Sequence, residues 1–213
     1  MKGKISILIV DDHAMVRQGL AQILEKNDRM QVVASFNNGA DALRWLRNHD
    51  CDVALLDVAM PDMNGIELLK QIKSNLTKFP VLIISAYPES QYAVRLIKAG
   101  ASGYLNKECA PEEVIDAVRN VVEGKMHLSP EAVKMLVNEI NLPDERLPHE
   151  TLSIREFQIF KLIVSAKTVT EIADSTHLSP KTISTYRSRI LEKMDLHNNV
   201  ELMRYAVEHQ LFE

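Results

Sequence analysis

At 213 residues the chain is long for one domain and comfortable for two. Its 46% hydrophobic and 25% charged content is that of an ordinary soluble globular protein, and no apolar run approaches the length that spans a bilayer. A net charge of −4 excludes a surface coated in basic groups, so any contact with nucleic acid must come from a local patch.

The start, Met1-Lys2-Gly3-Lys4, is basic, but an acidic pair follows the first apolar run rather than a cleavage site, so no export signal is read. From Ile5 onward two textures alternate. Short β-rich apolar runs lie at Ile5–Val10, Val32–Phe36, Asp52–Leu56, Val81–Ile84 and Gly103–Leu105. Amphipathic stretches of helical length separate them, near 14–26, 38–48, 64–73, 89–99 and 111–122. Strands that are apolar throughout, alternating with helices, predict a parallel sheet buried on both faces. Five such units fill about 125 residues, the size of one doubly wound domain. Asn64 with Glu67 reads as a capping pair, and Pro111 followed by Glu112 and Glu113 suits a first turn. Cys51 and Cys109 form neither a disulfide framework nor a metal-ligand spacing, and the cytoplasm is the expected compartment.

After Gly124 no strand pattern returns. Ser129-Pro130-Glu131 reads as N-cap, N1 proline and acidic first turn, opening a helix to about Ile140. Two prolines among charges, from Asn141 to Pro148, then mark a linker. The domain reading is therefore 1–124, a linker over 125–148 that includes the helix near 129–140, and an all-helical domain over 149–213. In that last part Ser153 with Glu156 and Thr168 with Glu171 fit the capping box, and Ser179-Pro180 repeats the N-cap and N1 pairing. A fourth helix is expected over roughly 198–209.

Open parallel sheets bind ligands beyond the carboxyl ends of their strands. Asp11 and Asp12 end the first strand, Asp57 the third and Ser85 the fourth, and Lys107 follows the fifth. Three carboxylates, a hydroxyl and an ammonium from four strands thus converge. Nearby carboxylates repel one another and either hold protons or recruit a cation. An all-oxygen site with few protein ligands suits Mg²⁺. Beside such a cation the Asp57 carboxylate can attack a phosphoryl group, with Lys107 and Ser85 placed to hold its oxygens. Each residue alone has a plainer reading, as a polar strand exit or a cap. Their joint placement favours an aspartyl-phosphate site.

Residues 4–122 resemble the receiver domain of two-component response regulators. The carriers are Ile7 to His13, the run Leu56-Asp57-Val58-Ala59-Met60-Pro61-Asp62-Met63-Asn64-Gly65, Ser85-Ala86, and Gly103-Tyr104-Leu105-Asn106-Lys107. The resemblance implies Asp57 as phosphoacceptor and Asp12 and Asp57 as direct Mg²⁺ ligands. It places Asp11 mainly behind water and adds the Ala59 carbonyl to the ligands. It also implies that Ser85 follows the phosphoryl group and that Tyr104 rotates inward as it does. Glu108 stands where many receivers carry proline, so no cis peptide is expected there.

Taken as a helix, 180–194 puts Ile183, Ile190, Leu191 and Met194 on one face and Lys181, Ser184, Thr185 and Ser188 on another. The second face is short and polar, as a helix in a major groove requires, with Arg187 and Arg189 flanking it for phosphates. Thr182 completes the candidate DNA-binding set. Within 180–194, Lys181, Arg187, Arg189 and Lys193 are opposed only by Glu192. A solvated face on a plain helical bundle is the competing interpretation. Thr168 to His177 reads as a preceding short helix with Ile172 and Ala173 at its seam, joined through Leu178-Ser179.

Residues 147–212 resemble the LuxR-type helix-turn-helix of the NarL/FixJ response regulators, through Leu152 to Glu156, Glu171-Ile172-Ala173, Leu178 to Ile183 and Ile190 to Met194. Ala166 stands where the family usually has glycine and Thr170 where lysine is common. Ser184 and Tyr186 replace the frequent lysine and histidine.

The fold class expected is therefore α/β, a doubly wound five-stranded parallel sheet of flavodoxin-like receiver type, followed by an all-α four-helix helix-turn-helix domain. The function expected is a phosphorylation-controlled, DNA-binding transcriptional regulator rather than an enzyme. A sensor histidine kinase would phosphorylate Asp57, releasing 181–188 from cover by the receiver. The partners expected are that kinase, double-stranded DNA bound by a homodimer on two half-sites, and RNA polymerase, with no membrane. Two other classes remain open: a constitutive DNA binder with a receiver scaffold, and a Mg²⁺-dependent phosphohydrolase using Asp57.

Overall fold

The computed structural model describes residues 3–60, 65–141 and 147–211. The chain forms two compact units, 1–141 and 142–213. In the first, strands β1 (Ile5–Val10), β2 (Met30–Phe36), β3 (Val53–Asp57), β4 (Val81–Ser85) and β5 (Gly103–Asn106) alternate with helices α1 (Ala14–Glu25), α2 (Gly39–Leu46), α3 (Gly65–Asn75), α4 (Glu89–Lys98) and α5 (Pro111–Val122). All neighbouring strands pair in parallel, in the order β2-β1-β3-β4-β5. This is the doubly wound sheet expected from apolar strands, and β3 and β4 are buried along their whole length. On one face Ile7, Ile9, Leu55, Leu82, Ile84 and Leu105 pack with Leu20 and Leu24 of α1 and Val114, Val118 and Val121 of α5.

Strand β2 begins at Met30, two positions earlier than its apolar texture suggests, because Met30 pairs with Ile5 of β1. The register then shifts between Ile7 and Leu8. Local capping sets the helix starts. Asn38 accepts from the Asp41 amide at 2.9 Å to open α2, and Pro111 sits at the start of α5. The proposed Asn64–Glu67 cap falls partly outside the described residues; Pro61 to Asn64 and, in the linker, Leu142 to Arg146 lie wholly outside them.

The segment read as a linker is not free at its beginning. His127 lies against the edge of β5, where its carbonyl accepts from the Tyr104 amide at 2.9 Å and its amide donates to Ser102 at 3.2 Å. Helix α6 (Pro130–Asn141) then packs on α4. Its first turn is capped by Ser129, whose Oγ accepts from the Ala132 amide, while the Ser129 amide donates to Glu89 Oε1 at 3.1 Å. An exposed strand edge and an uncovered helix face supply the reason, since both are satisfied by this segment.

The second unit holds a 3₁₀ turn at Pro148–Thr151 and four helices: α7 (Ile154–Val164), α8 (Val169–Thr176), α9 (Pro180–Lys193) and α10 (Asn199–Glu208). Capping boxes open α7 and α8, at Ser153 with Glu156 and Thr168 with Glu171. Ser179 Oγ accepts from the Thr182 amide to start α9. Phe157, Phe160, Ile172, Ile183, Ile190 and Leu202 are buried. Among the described residues no peptide bond is cis, and no helix is long and apolar enough to cross a membrane.

Candidate functional site

The sheet register assembles the site. Val10 pairs with Leu56, so Asp11 and Asp57 emerge side by side where the strand order reverses between β1 and β3. Asp57 pairs with Ile84 and Ser85 with Asn106, which brings Ser85 and Lys107 to the same edge. The Lys107 amide donates to the Ser85 carbonyl at 2.9 Å, fixing the β5 exit over the site.

Lys107 Nζ lies 2.8 Å from Asp11 Oδ2 and 2.9 Å from Asp57 Oδ2. Both carboxylates are buried, each residue 2% exposed, and Asp12 is partly open to solvent. One ammonium therefore serves two buried carboxylates. Burial pushes the Asp57 carboxyl above its ordinary range, Lys107 pulls it down, and the Asp11 charge pushes it up again. For Lys107 burial acts downward, but hydrogen bonds and charge from Asp11 and Asp57 outweigh it and raise the ammonium. Asp57 Oδ1 is buried with no hydrogen-bond partner. A buried carboxylate oxygen left in this state is costly unless something cationic or phosphoryl-like meets it. One ligand atom each from Asp11, Asp12, His13 and Asp57 lies within 4.8 Å of the others, so the donor set fits a divalent cation.

Ser85 is fully buried, and its Oγ accepts from the Tyr87 amide at 3.1 Å. Tyr104 is turned inward and buried, hydrogen-bonded to Ser85, and its hydroxyl donates to the Tyr87 carbonyl at 2.7 Å. Burial raises the Tyr104 phenol, so it stays protonated and donates. Ala59 lies exposed two positions beyond Asp57.

Two features of this site were not singled out by sequence reasoning. Gly65 opens α3 so close to β3 that a Cβ there would stand 1.8 Å from the Asp57 carbonyl oxygen. No side chain fits against that backbone, so the glycine lets α3 begin directly behind Asp57. Arg17, one turn into α1, donates from Nη1 to the Asp11 carbonyl at 2.6 Å and ties the helix to the acidic loop. Its spacing of four residues from His13 is the only sequence signal for it.

In the second unit, α9 buries Ile183, Ile190, Leu191 and Met194 and exposes Lys181, Ser184, Thr185, Ser188 and Arg189. Each hydroxyl donates backward along its own helix: Ser184 to Pro180, Thr185 to Lys181 and Ser188 to Ser184, at 2.9, 3.0 and 3.1 Å. The oxygens remain acceptors on the outer face. Thr182 belongs to the N-cap with Ser179 and is partly covered. Arg187 is drawn aside, its Nε donating to Asn199 Oδ1 of α10 at 2.6 Å. Lys193 pairs with buried Glu156 at 2.7 Å. Of the four basic residues counted in this helix, Lys181 and Arg189 are the ones on the open face that form no ion pair with an acidic side chain among the described residues.

Residues 7–119 match the response regulator receiver domain family, and residues 150–206 match the bacterial regulatory proteins of the luxR family. The chain is 36% identical over 208 residues to the response regulator UvrY of Escherichia coli, covering 97% of this chain and 95% of that one. This chain belongs to the response regulators. It is likewise 36% identical over 210 residues to the response regulator GacA of Pseudomonas aeruginosa, with 98% of each covered. Among solved structures it resembles the RcsB response regulator of Salmonella typhimurium, at a TM-score of 0.68 and 25% identity over 97% of this chain and 98% of that one. RcsB is also known as a response regulator–DNA complex, matched at a TM-score of 0.59 and 25% identity over 96% of this chain and 98% of that one. As a response regulator of NarL/FixJ type, the chain joins a receiver domain to a LuxR-type DNA-binding domain.

Proposed function

We propose that Asp57 is the phosphoacceptor of a cytoplasmic, two-component transcriptional regulator, and that phosphorylation controls DNA binding through α9. The observation that carries this reading is the buried Asp57 carboxylate, with Oδ1 unpartnered and Oδ2 held by Lys107, beside Asp11 and Asp12. In the step, an Asp57 oxygen forms a bond to phosphorus. The N–P bond of a phosphohistidine on a sensor kinase breaks, and its electron pair returns to the imidazole.

Asp12, Asp57 and the Ala59 carbonyl would hold Mg²⁺, with Asp11 acting through water. When bound, the ion offsets charge on the phosphoryl oxygens. Lys107 is already placed between Asp11 and Asp57 and turns to a phosphoryl oxygen as the Asp57 carboxylate becomes an acyl phosphate. Ser85 donates to a second oxygen, and Tyr104 follows Ser85, to which it is hydrogen-bonded. Because the Tyr104 amide is paired with His127 and α6 rests on α4, a shift at Tyr104 reaches the segment leading to the second unit. A nearly complete switch requires a differential stabilisation of about 5 kcal/mol between the two states.

On DNA, Ser184, Thr185 and Ser188 present acceptor oxygens to base edges in the major groove, with Thr182 beside them at the helix start. Lys181 and Arg189 meet phosphates, and Arg187 does so while positioned by Asn199. So few cationic contacts make affinity modest and salt-sensitive, which a homodimer on two half-sites offsets. RNA polymerase is the partner downstream of that binding.

The test is incubation with Mg²⁺ and a small phosphodonor, reading phosphate incorporation and DNA affinity together. Acid-stable, hydroxylamine-labile phosphate that disappears in Asp57→Ala, accompanied by tighter DNA binding, is expected. Labelling with unchanged DNA binding would overturn the coupling. Absence of labelling would favour a constitutive DNA binder with a receiver scaffold.

A further inference from the structure

We propose that His13 is a ligand of the cation site, making it a mixed nitrogen–oxygen site that favours borderline first-row ions such as Co²⁺ over what three carboxylates alone would hold. The inference rests on the reading of Asp11, Asp12 and Asp57 as a cation site and goes beyond it in naming the residue that sets metal preference.

His13 occupies the N-cap position of α1, where side chains commonly accept from the first helical amides. It makes no such bond. Its ring turns instead toward the acidic loop, with Nδ1 at 2.9 Å from Asp12 Oδ1 and 3.3 Å from Asp11 Oδ1. The backbone holds this pose, because the His13 amide donates to Asp11 Oδ1 at 2.7 Å and Arg17 anchors the next turn to the Asp11 carbonyl. An imidazole nitrogen facing two carboxylate oxygens at these distances is satisfied either by a proton it carries or by a cation lying among the three. The buried, unpartnered Asp57 Oδ1 is a separate sign that the cluster is built around a ligand. The same four residues bring one ligand atom each within 4.8 Å of one another, close enough for one ion to reach them after small adjustments.

Carboxylate, carbonyl and water ligands suit Mg²⁺ and Mn²⁺, whereas imidazole raises affinity toward Co²⁺, Ni²⁺ and Zn²⁺. His13 is largely open to solvent on its other side, so it can join or leave the ion without unpacking the core. Mg²⁺ can therefore be held with His13 set aside, and a softer ion with His13 engaged.

The experiment is calorimetric titration of the full chain with Mg²⁺ and, separately, with Co²⁺ at fixed pH, in wild type, His13→Asn and Asp12→Asn. Asparagine keeps a polar side chain of similar reach but offers only oxygen to the ion. Expected is a loss of about tenfold in Co²⁺ affinity in His13→Asn with Mg²⁺ affinity changed less than about twofold, so that metal preference shifts. Asp12→Asn should weaken both ions, and Co²⁺ heat that survives it marks binding at other histidines. Equal Co²⁺ affinity in wild type and His13→Asn would overturn the proposal while leaving the Mg²⁺ reading intact. Failure of the wild type to bind either ion would overturn both.

Discussion

Two buried carboxylates, one in each unit, sit beside a lysine and behave in opposite ways. Asp57 lies 2.9 Å from Lys107 and its carboxyl is raised above the ordinary range. Glu156 lies 2.7 Å from Lys193 and is lowered below it. Burial disfavours the charge of both. Glu156 overcomes this through Lys193 and through the capping box, in which the Ser153 amide donates to its carboxylate at 2.8 Å. Asp57 shares its lysine with Asp11 and has an oxygen with no partner. A lysine nearby therefore does not by itself set the direction in which a buried carboxylate is shifted. What distinguishes the two is how the lysine is shared: Lys193 pairs with Glu156 alone, beside the Ser153 amide, whereas Lys107 is divided between Asp57 and Asp11.

The comparison is most sharply tested at the lysines. Lys107→Ala leaves two buried carboxylates facing each other with no cation, and should lower the stability of the metal-free chain by about 3 kcal/mol in urea unfolding near neutral pH. The loss should shrink in acid, where protonation removes the repulsion. An unchanged unfolding midpoint would mean that Lys107 does not hold the pair together. Lys193→Ala should cost about 1 kcal/mol, since Lys193 is 43% exposed and solvent screens its charge, and Glu156 keeps its Ser153 bonds.

That second effect carries a pH signature. Because Glu156 titrates lower in the folded chain than its ordinary 4.5, its contribution is present above that value and is lost as pH falls through the folded pKa. Wild type and Lys193→Ala should therefore converge in stability below the ordinary glutamate range, as followed by circular dichroism. A difference that persists there would show that Lys193 acts through packing rather than charge.

The smallest effect has the opposite sign. Asp57 titrates higher folded than its ordinary 3.8, so stability is full below that value and falls as pH rises through the folded pKa. Asp57→Asn should stabilise the metal-free chain at neutral pH by at most about 1 kcal/mol. Destabilisation instead would show that the charged carboxylate is a net support of the fold.

Much of this could be read along the chain, because strand and helix periodicity, N1 prolines and capping boxes are local signals. The four helices of the second unit and the buried face of α9 follow from them. Ala166 shows how a departure becomes physical. It stands where the resemblance expects glycine and adopts φ 59°, just after α7, a left-handed conformation that costs a residue with a Cβ about 1–2 kcal/mol. His177, likewise at φ 52°, ends α8 without any glycine to announce it.

Sequence alone determined which residues stand at the carboxyl ends of the strands, since alternating apolar runs and turns are fixed by neighbours in the chain. It placed Asp11, Asp12, Asp57, Ser85 and Lys107 at those ends and the polar face on α9. Only the tertiary structure decided how their charges are shared. One ammonium falls between Asp11 and Asp57, Arg187 turns to Asn199, Lys193 turns to Glu156, and the His13 ring turns from the N-cap of α1 to face two carboxylates. The physical reason is that pairing and burial depend on distances between segments far apart in sequence, and those distances exist only once the sheet register and helix packing are set.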